Sequence, residues 1–173
     1  IFLTLDDQKI ALKSQNQRLK KEITSRLIVS EEYKKLTEAV EQSPLDVMIT
    51  DCNGTVEFVN QGFVSKTGYQ KEEVIGKNAS LLQSGYTTAE TYQELWATIT
   101  AGKTWRGEFH NKTKSGELIW EHAVISPVLN KDHTVTHYLS IKEDITERKH
   151  YESVLAKQLN FDDVTDLPNK ILA

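Results

Sequence analysis

The sequence predicts an α+β fold: a five-stranded antiparallel sheet with short helices on one face and a long helix at each end. Three observations carry this. The stretch from Thr104 to Thr146 alternates like three strands, broken by turn clusters at Lys112 to Gly116 and Asn130 to His133. Asp46–Thr50 and Thr55–Asn60 flank Asp51-Cys52-Asn53-Gly54, where Asn-Gly suits the positive backbone angles of a hairpin turn. Segments before and after them carry apolar residues at helical spacing.

Taken in order, Leu5, Leu12 and Leu19 recur at sevens, with Lys9, Asn16 and Ile23 at the intervening core positions. Leu at d and an amide at one a position favour a parallel two-stranded coiled coil, with a solvated single helix as the alternative. After Arg26 the phase slips. Val29, Tyr33, Leu36 and Val40 form a new stripe, for which Ser30 is the expected N-cap, and Ser43-Pro44 ends it. Residues 1–29 therefore read as a coiled-coil helix. Gln61 to Val74 reads as one or two short helices broken at Gly68. Thr88 to Ala101 is a clearer helix, with Tyr92, Leu95, Trp96 and Ile99 on adjoining faces. Glu147 to Asn160 is the last, with Tyr151, Val154, Leu155 and Leu159 as its stripe.

Alternation puts Trp105, Gly107, Phe109 and Asn111 on one face of the third strand, and Ile119, Glu121, Ala123 and Ile125 on one face of the fourth. Leu118, Trp120, His122 and Val124 lie opposite. Both faces of the fourth strand are thus substantially apolar, so each requires cover. One face is expected to close a pocket with the preceding helices, and the other to receive the flanking helices.

Composition excludes several classes. In 173 residues, 38% hydrophobic and 27% charged, there is one proper core. The net charge of -4, with no basic face, argues against nucleic acid. The single Cys52 excludes an internal disulfide and a multi-Cys metal site, and suits a reducing compartment, with cytoplasm as the default. No run approaches the roughly 20 apolar residues of a membrane span. Six basic residues against one acidic between Lys9 and Arg26 lead to the expectation that Ile1, Phe2, Leu3 and Leu5 end a membrane helix of an anchored parent, which would tie it to the inner membrane. No Gly-rich phosphate loop, metal-ligand cluster or Ser-His-Asp arrangement is visible, so no catalytic residue and no metal site is assigned.

From Glu38 to Lys149 the chain closely resembles a bacterial PAS sensory domain. The residues that carry this are AVEQSPLDVMITD, GTVEFVNQGFVSKTGY, KEEVIGKN, LWATITAGKTWRGEFHN and Asp144-Ile145-Thr146-Glu147-Arg148-Lys149. The resemblance implies a PAS domain over residues 30–146 with an N-terminal cap helix, and an output linker helix over 147–161. At the tail, Asp162-Asp163-Val164-Thr165-Asp166-Leu167-Pro168-Asn169-Lys170 resembles the first motif of a GGDEF diguanylate cyclase domain, D-x-L-T-G-L-P-N-R, with Val164, Asp166 and Lys170 departing from it. That implies a truncated GGDEF domain over 162–173, a cyclic-di-GMP signalling parent, a homodimer joined through the N-terminal and C-terminal helices, and a fragment without catalytic activity of its own.

Two flavin-binding branches of PAS domains are similar at specific residues. Gly76-Lys77-Asn78-Ala79-Ser80-Leu81-Leu82-Gln83 is similar to G-R-N-C-R-F-L-Q of LOV photoreceptors, with Ala79 in place of the photoreactive Cys, so a thiol adduct cannot form there. Asn111 matches a flavin-ring amide of that branch, Glu121 replaces a second Asn, and Lys142 replaces a Gln. The FAD-binding redox sensors carry a Trp in the last helix and a W-x-G-x-x-x-N strand, matched by Trp96, Trp105 and Asn111. The resemblance thus implies FAD as cofactor, held by Asn78, Gln83, Trp96, Trp105, Asn111 and Glu121, and redox or oxygen sensing through it. The alternative is a ligand-free dimerisation and relay spacer, with Trp96 and Trp105 as core fillers, Asn111 as a turn-bonding residue, Asn78 as a helix cap, and Glu121 paired to Lys142. Haem is disfavoured because Thr88 to Ala101 contains no His.

Overall fold

A computed structural model describes residues 4–160. The expectations for Ile1 to Leu3 and for the GGDEF-like tail lie outside the described residues. The chain forms two units, residues 1–41 and the remainder.

The first unit is one helix, α1 (Leu5–Glu41), with no buried residue. Thr4 and Asp7 cap its start reciprocally: the Asp7 amide donates to Thr4 Oγ1 at 3.3 Å and the Thr4 amide to Asp7 Oδ2 at 3.1 Å. The expected break at Ser30 does not occur. Nothing between Leu5 and Glu41 is Gly or Pro, and Ser inside a helix costs only a few tenths of a kcal/mol, so the helix runs through the change of phase. Leu12, Leu19, Ile23, Tyr33 and Leu36 all remain exposed within this unit.

The second unit is built on a five-stranded sheet in the order β2-β1-β5-β4-β3. Its strands are β1 (Asp46–Asp51), β2 (Val56–Val59), β3 (Trp105–Lys112), β4 (Leu118–Leu129) and β5 (Val135–Asp144), and every pairing is antiparallel. The β1–β2 turn differs in detail from the expected Asn-Gly turn. Only Gly54 takes positive φ, at 81°, while Asp51 Oδ1 accepts from the Asn53 and Thr55 amides at 2.8 Å each.

Between β2 and β3 lie α2 (Gln61–Thr67), α3 (Lys71–Val74), one turn of 3-10 helix (Ala79–Leu82) and α4 (Ala89–Thr100). Asn60 ties α2 to the sheet. Its fully buried amide accepts from Phe63 N and Val47 N, both at 3.0 Å, and donates to Leu45 O at 2.9 Å. Gly62 follows because a Cβ there would run into the carbonyl oxygens of Leu45 and Ser43. Gly68, at φ 76°, ends α2 as the sequence predicts.

Two apolar clusters fill the inner face. One contains Leu95, Ile99, Trp105, Phe109, Ile125 and Tyr138, the other Met48, Val56, Val59, Phe63, Val74 and Leu82. On the outer face, the first turn of α5 (Thr146–Asn160) covers the Trp120 end of β4. Trp120 N donates to Thr146 Oγ1 at 2.9 Å, and Lys149 Nζ sits 5.3 Å from the centre of the indole ring. His122 and Val124 farther along are half-buried.

The Asp144-Ile145-Thr146 corner fixes where α5 begins. Asp144 accepts from Lys66 Nζ at 2.7 Å and from Thr146 N at 2.8 Å, and Ile145 is buried beside them. Burial raises the Asp144 pKa, but these hydrogen bonds outweigh it and hold the carboxyl below its ordinary value. A depressed folded pKa contributes stability above the unfolded value and loses it as pH falls through the folded one. Asp144→Asn should therefore cost about 1–2 kcal/mol at neutral pH, with the gap to wild type closing on acidification through the ordinary aspartate range, as read by urea unfolding.

Candidate functional site

The inner face of the sheet, the 3-10 turn and α4 enclose a cavity of about 180 Å³. Its walls are apolar: Met48 and Leu82 on one side, Tyr92, Leu95, Phe109 and Ile125 on the other. Trp96 stands at its edge with 39% of its surface exposed, and makes an edge-to-face contact with Tyr138. The polar lining includes Asn78, Ser80, Gln83, Asn111, Ser140 and Lys142.

Beneath the polar end lies an ionic cluster. Lys142 on β5 places Nζ 2.9 Å from Asp46 Oδ2 on β1 and 3.6 Å from Glu121 Oε2 on β4, and Asn111 on β3 donates to Glu121 Oε2 at 2.7 Å. Register explains the meeting, since Asp46 pairs directly with Lys142 while Glu121 faces Asp144, one inward step along β5. Asp46, Glu121 and Lys142 are each no more than 3% exposed. Burial lowers the Lys142 pKa, but the two carboxylates outweigh it and raise the ammonium above its ordinary value. Desolvation raises that of Asp46 despite Lys142, and the Glu121 charge adds to the rise. The Lys142–Asp46 approach is an ion pair rather than an aligned hydrogen bond, and the buried Ser140 Oγ has no hydrogen-bond partner among the described residues.

Of the six residues predicted to hold a cofactor, Asn78, Gln83, Trp96 and Asn111 line the cavity. Asn78 is also a structural cap: Oδ1 accepts from Ser80 N at 2.9 Å and Nδ2 donates to Asn53 O at 3.0 Å. Glu121 lies behind the wall, reaching the cavity through Asn111 and Lys142. Trp105 is buried beside it, stacked on Phe109 with 5.0 Å between ring centres and lying flat over Gly107, where a Cβ would meet the indole. That contact explains the W-x-G spacing by packing. Gln83 and Asn111 also form an isolated backbone bridge that closes the cavity's edge. The Glu121–Lys142 pair expected from alternation is present, whereas a turn-bonding role for Asn111 is not, because its amide bonds Glu121. Asp46 was missed as a site residue. Its signal was parity: Asp46, Met48 and Thr50 share one side of a strand, so a charge at its first position points inward.

The PAS domain family model matches residues 44–147. The nitrogen fixation regulatory protein of Klebsiella pneumoniae is 35% identical over 107 residues, which are 62% of this chain and 22% of that protein. The blue-light photoreceptor of Listeria innocua serovar 6a is 32% identical over 127 residues, 72% of this chain and 50% of its own length. Among solved structures, an RNA-binding light-oxygen-voltage receptor superposes with a TM-score of 0.67 at 26% identity, covering 72% of this chain and 36% of that one. The chain thus spans about a fifth of the first of these relatives and half of the second.

Removing Lys142 leaves the Asp46 and Glu121 carboxyls buried without a compensating cation. Lys142→Met should destabilise the domain by about 3–5 kcal/mol in chemical unfolding, and adding Asp46→Asn and Glu121→Gln should recover most of that loss.

Proposed function

Because the chain belongs to the PAS domain family, we propose that it is the sensor and transmission module of a larger signalling protein, and that its cavity holds a flavin, FAD on the resemblance of Trp96, Trp105 and Asn111 to the redox-sensor branch. The observation that carries this is an apolar, aromatic-walled cavity whose polar end offers a buried hydroxyl without a partner, Ser140 Oγ, beside Asn111 and Lys142. A planar heteroaromatic ring with carbonyl acceptors on one edge suits that arrangement. The blue-light and light-oxygen-voltage names of two similar proteins support a flavin in general. Tyr92, Trp96 and Phe109 would flank the ring, with Ser140, Asn111 and Lys142 at its polar edge. Bound there, the flavin would supply reversible electron acceptance. At about 180 Å³ the cavity is smaller than the roughly 300 Å³ at which ligand sites usually begin, so holding a three-ring group would require its edge, where Trp96 is half-exposed, to open.

The relay is a population shift. A change in the cavity alters the hydrogen bonding of Asn111 and its partner Glu121, and β3 and β4 carry that change to Trp120 and the first turn of α5. An output domain would follow α5 in the sequence: the resemblance of Asp162 to Lys170 to a GGDEF motif supports a cyclic-di-GMP parent, in the cytoplasm or anchored to the inner membrane. Among the described residues no helix is long and apolar enough to cross a membrane. A homodimer through α1 and α5 is supported by α1, whose 37 residues expose Leu5, Leu12 and Leu19 at heptad spacing with Asn16 at an a position. A ligand-free spacer is the second reading. It is favoured by the fact that Asn78, Asn111, Glu121 and Lys142 all have protein partners already.

Freshly purified protein should show flavin absorption bands and release FAD on denaturation. A colourless protein that also fails to take up added FAD or FMN would leave the spacer reading. The chain should sediment as a dimer at micromolar concentration, and a monomer there would remove the coiled coil.

A further inference from the structure

Three buried ionisable groups under the cavity leave one charge unbalanced. Lys142 is the cluster's ammonium, and Asp46 and Glu121 are both within 3.6 Å of it. Among the described residues, the groups packed around them supply no second cation. From β3, Asn111 offers a neutral amide to Glu121, and from β5, Ser140 offers a hydroxyl. From α4 comes the Tyr92 phenol, whose pKa burial raises, and from α2 comes the Phe63 ring, 6.0 Å from Nζ. Lys66 on α2 is spent on Asp144 at 2.7 Å. With both carboxylates ionised the cluster carries a net negative charge where no more than 3% of any member reaches solvent. Such a charge is costly to bury, and a bound proton cancels it.

We propose that Asp46, Glu121 and Lys142 form a buried one-proton site, in which the two carboxylates hold a single exchangeable proton between them. Asp46 is its principal holder. Glu121 already accepts a hydrogen bond from the Asn111 amide, whereas among the described residues Asp46 has the ion pair with Lys142 and no aligned hydrogen bond to either oxygen. The site has a consequence for the cavity. Lys142 and Ser140 line it while both carboxylates stand behind. A ligand that sets a carbonyl or other acceptor against Lys142 draws the ammonium away from Asp46, and so strengthens the hold on the proton. Filling the cavity with an electron-rich ligand and loading the site with a proton become linked events. This link rests on the cavity being a ligand site, whereas the proton site does not.

Infrared spectroscopy of the ligand-free protein tests it directly. A carbonyl stretch of a protonated, buried carboxylic acid is expected at neutral pH, shifted by carbon-13 labelling of aspartate and lost in Asp46→Asn. The label carries the test should that variant fail to fold. A band insensitive to the aspartate label but lost in Glu121→Gln keeps the shared site and makes Glu121 the holder. No such band at neutral or mildly acidic pH overturns the proposal, as does one that survives both substitutions. The linkage is read by riboflavin titration calorimetry in buffers of different ionisation heat, at the alkaline pH where half of that band is lost from the ligand-free protein. Proton uptake is expected in wild type and not in Asp46→Asn, and equal uptake in both would overturn the link. Failure of riboflavin, FMN and FAD alike to bind wild type counts against the flavin reading, leaving the ligand-free band to decide the proton site by itself.

Discussion

The contact on which the domain depends is the ion pair between Lys142 and Asp46, extended by Glu121 and Asn111. It draws one side chain from each of β1, β5, β4 and β3, so four of the five strands meet at a single polar layer. Such a layer is poor as a source of stability, because desolvation consumes most of what the charges gain by meeting. Its value is in register. A one-residue slip of β5 against β1 would turn Lys142 to the outer face and leave Asp46 facing an apolar cluster, an error far costlier than misplacing an alkyl group. Hydrophobic packing fills the volume; the cluster determines which residues stand opposite one another.

That polar layer also accounts for the cavity. The two apolar clusters lie on either side of it, one under α4 and the other under α2 and α3. Where they would otherwise merge, the sheet presents Asn111, Ser140 and Lys142. Polar groups cannot be covered by leucine without leaving hydrogen-bonding capacity unused, and Ser140 Oγ shows that capacity unused. Trp96, half-exposed at the edge, closes the space with an aromatic face rather than a packed aliphatic plug.

Much of this was legible in the sequence because it rests on period-two alternation. The strands, the inward set Trp105, Phe109, Asn111 and Glu121, and the inward parity of Lys142 all follow from it, and the structure places them so. Parity says which face a side chain takes but not how deep it sits or what lies across the sheet. Asp46 and Lys142 are separated by almost a hundred positions and meet only through the β1–β5 pairing, which local pattern does not reveal. Trp105 shows the reverse limit. The motif that suggested a ligand contact is satisfied by the indole lying over Gly107, a packing solution indistinguishable in sequence from a binding one. At Ser30 a local cap signal gave way because an uninterrupted helical backbone on both sides outweighs one favourable cap.

The same strands that wall the cavity also hold the first turn of α5. His110 neighbours Asn111 on β3, and its backbone is held from the cavity's edge: its carbonyl accepts from Ser84 Oγ and its amide donates to Thr87 Oγ1 at 2.9 Å. On the outer face its ring stacks on Trp120 with 4.3 Å between centres and planes 7° apart. Trp120 in turn receives Ile145 N on its carbonyl at 2.8 Å and gives its own amide to Thr146. Lys149 is clamped between the Trp120 face and Glu108 at 2.6 Å. Cavity edge, outer aromatic pair and first turn of α5 are therefore joined by contiguous short contacts, with a second attachment through Lys66 and Asp144. Because β3 is an edge strand with one neighbour, it can move relative to β4 at lower cost than β5, which is paired on both sides. A disturbance at Asn111 thus meets the least resistance along β3, the strand whose Glu108 holds Lys149 in the first turn of α5.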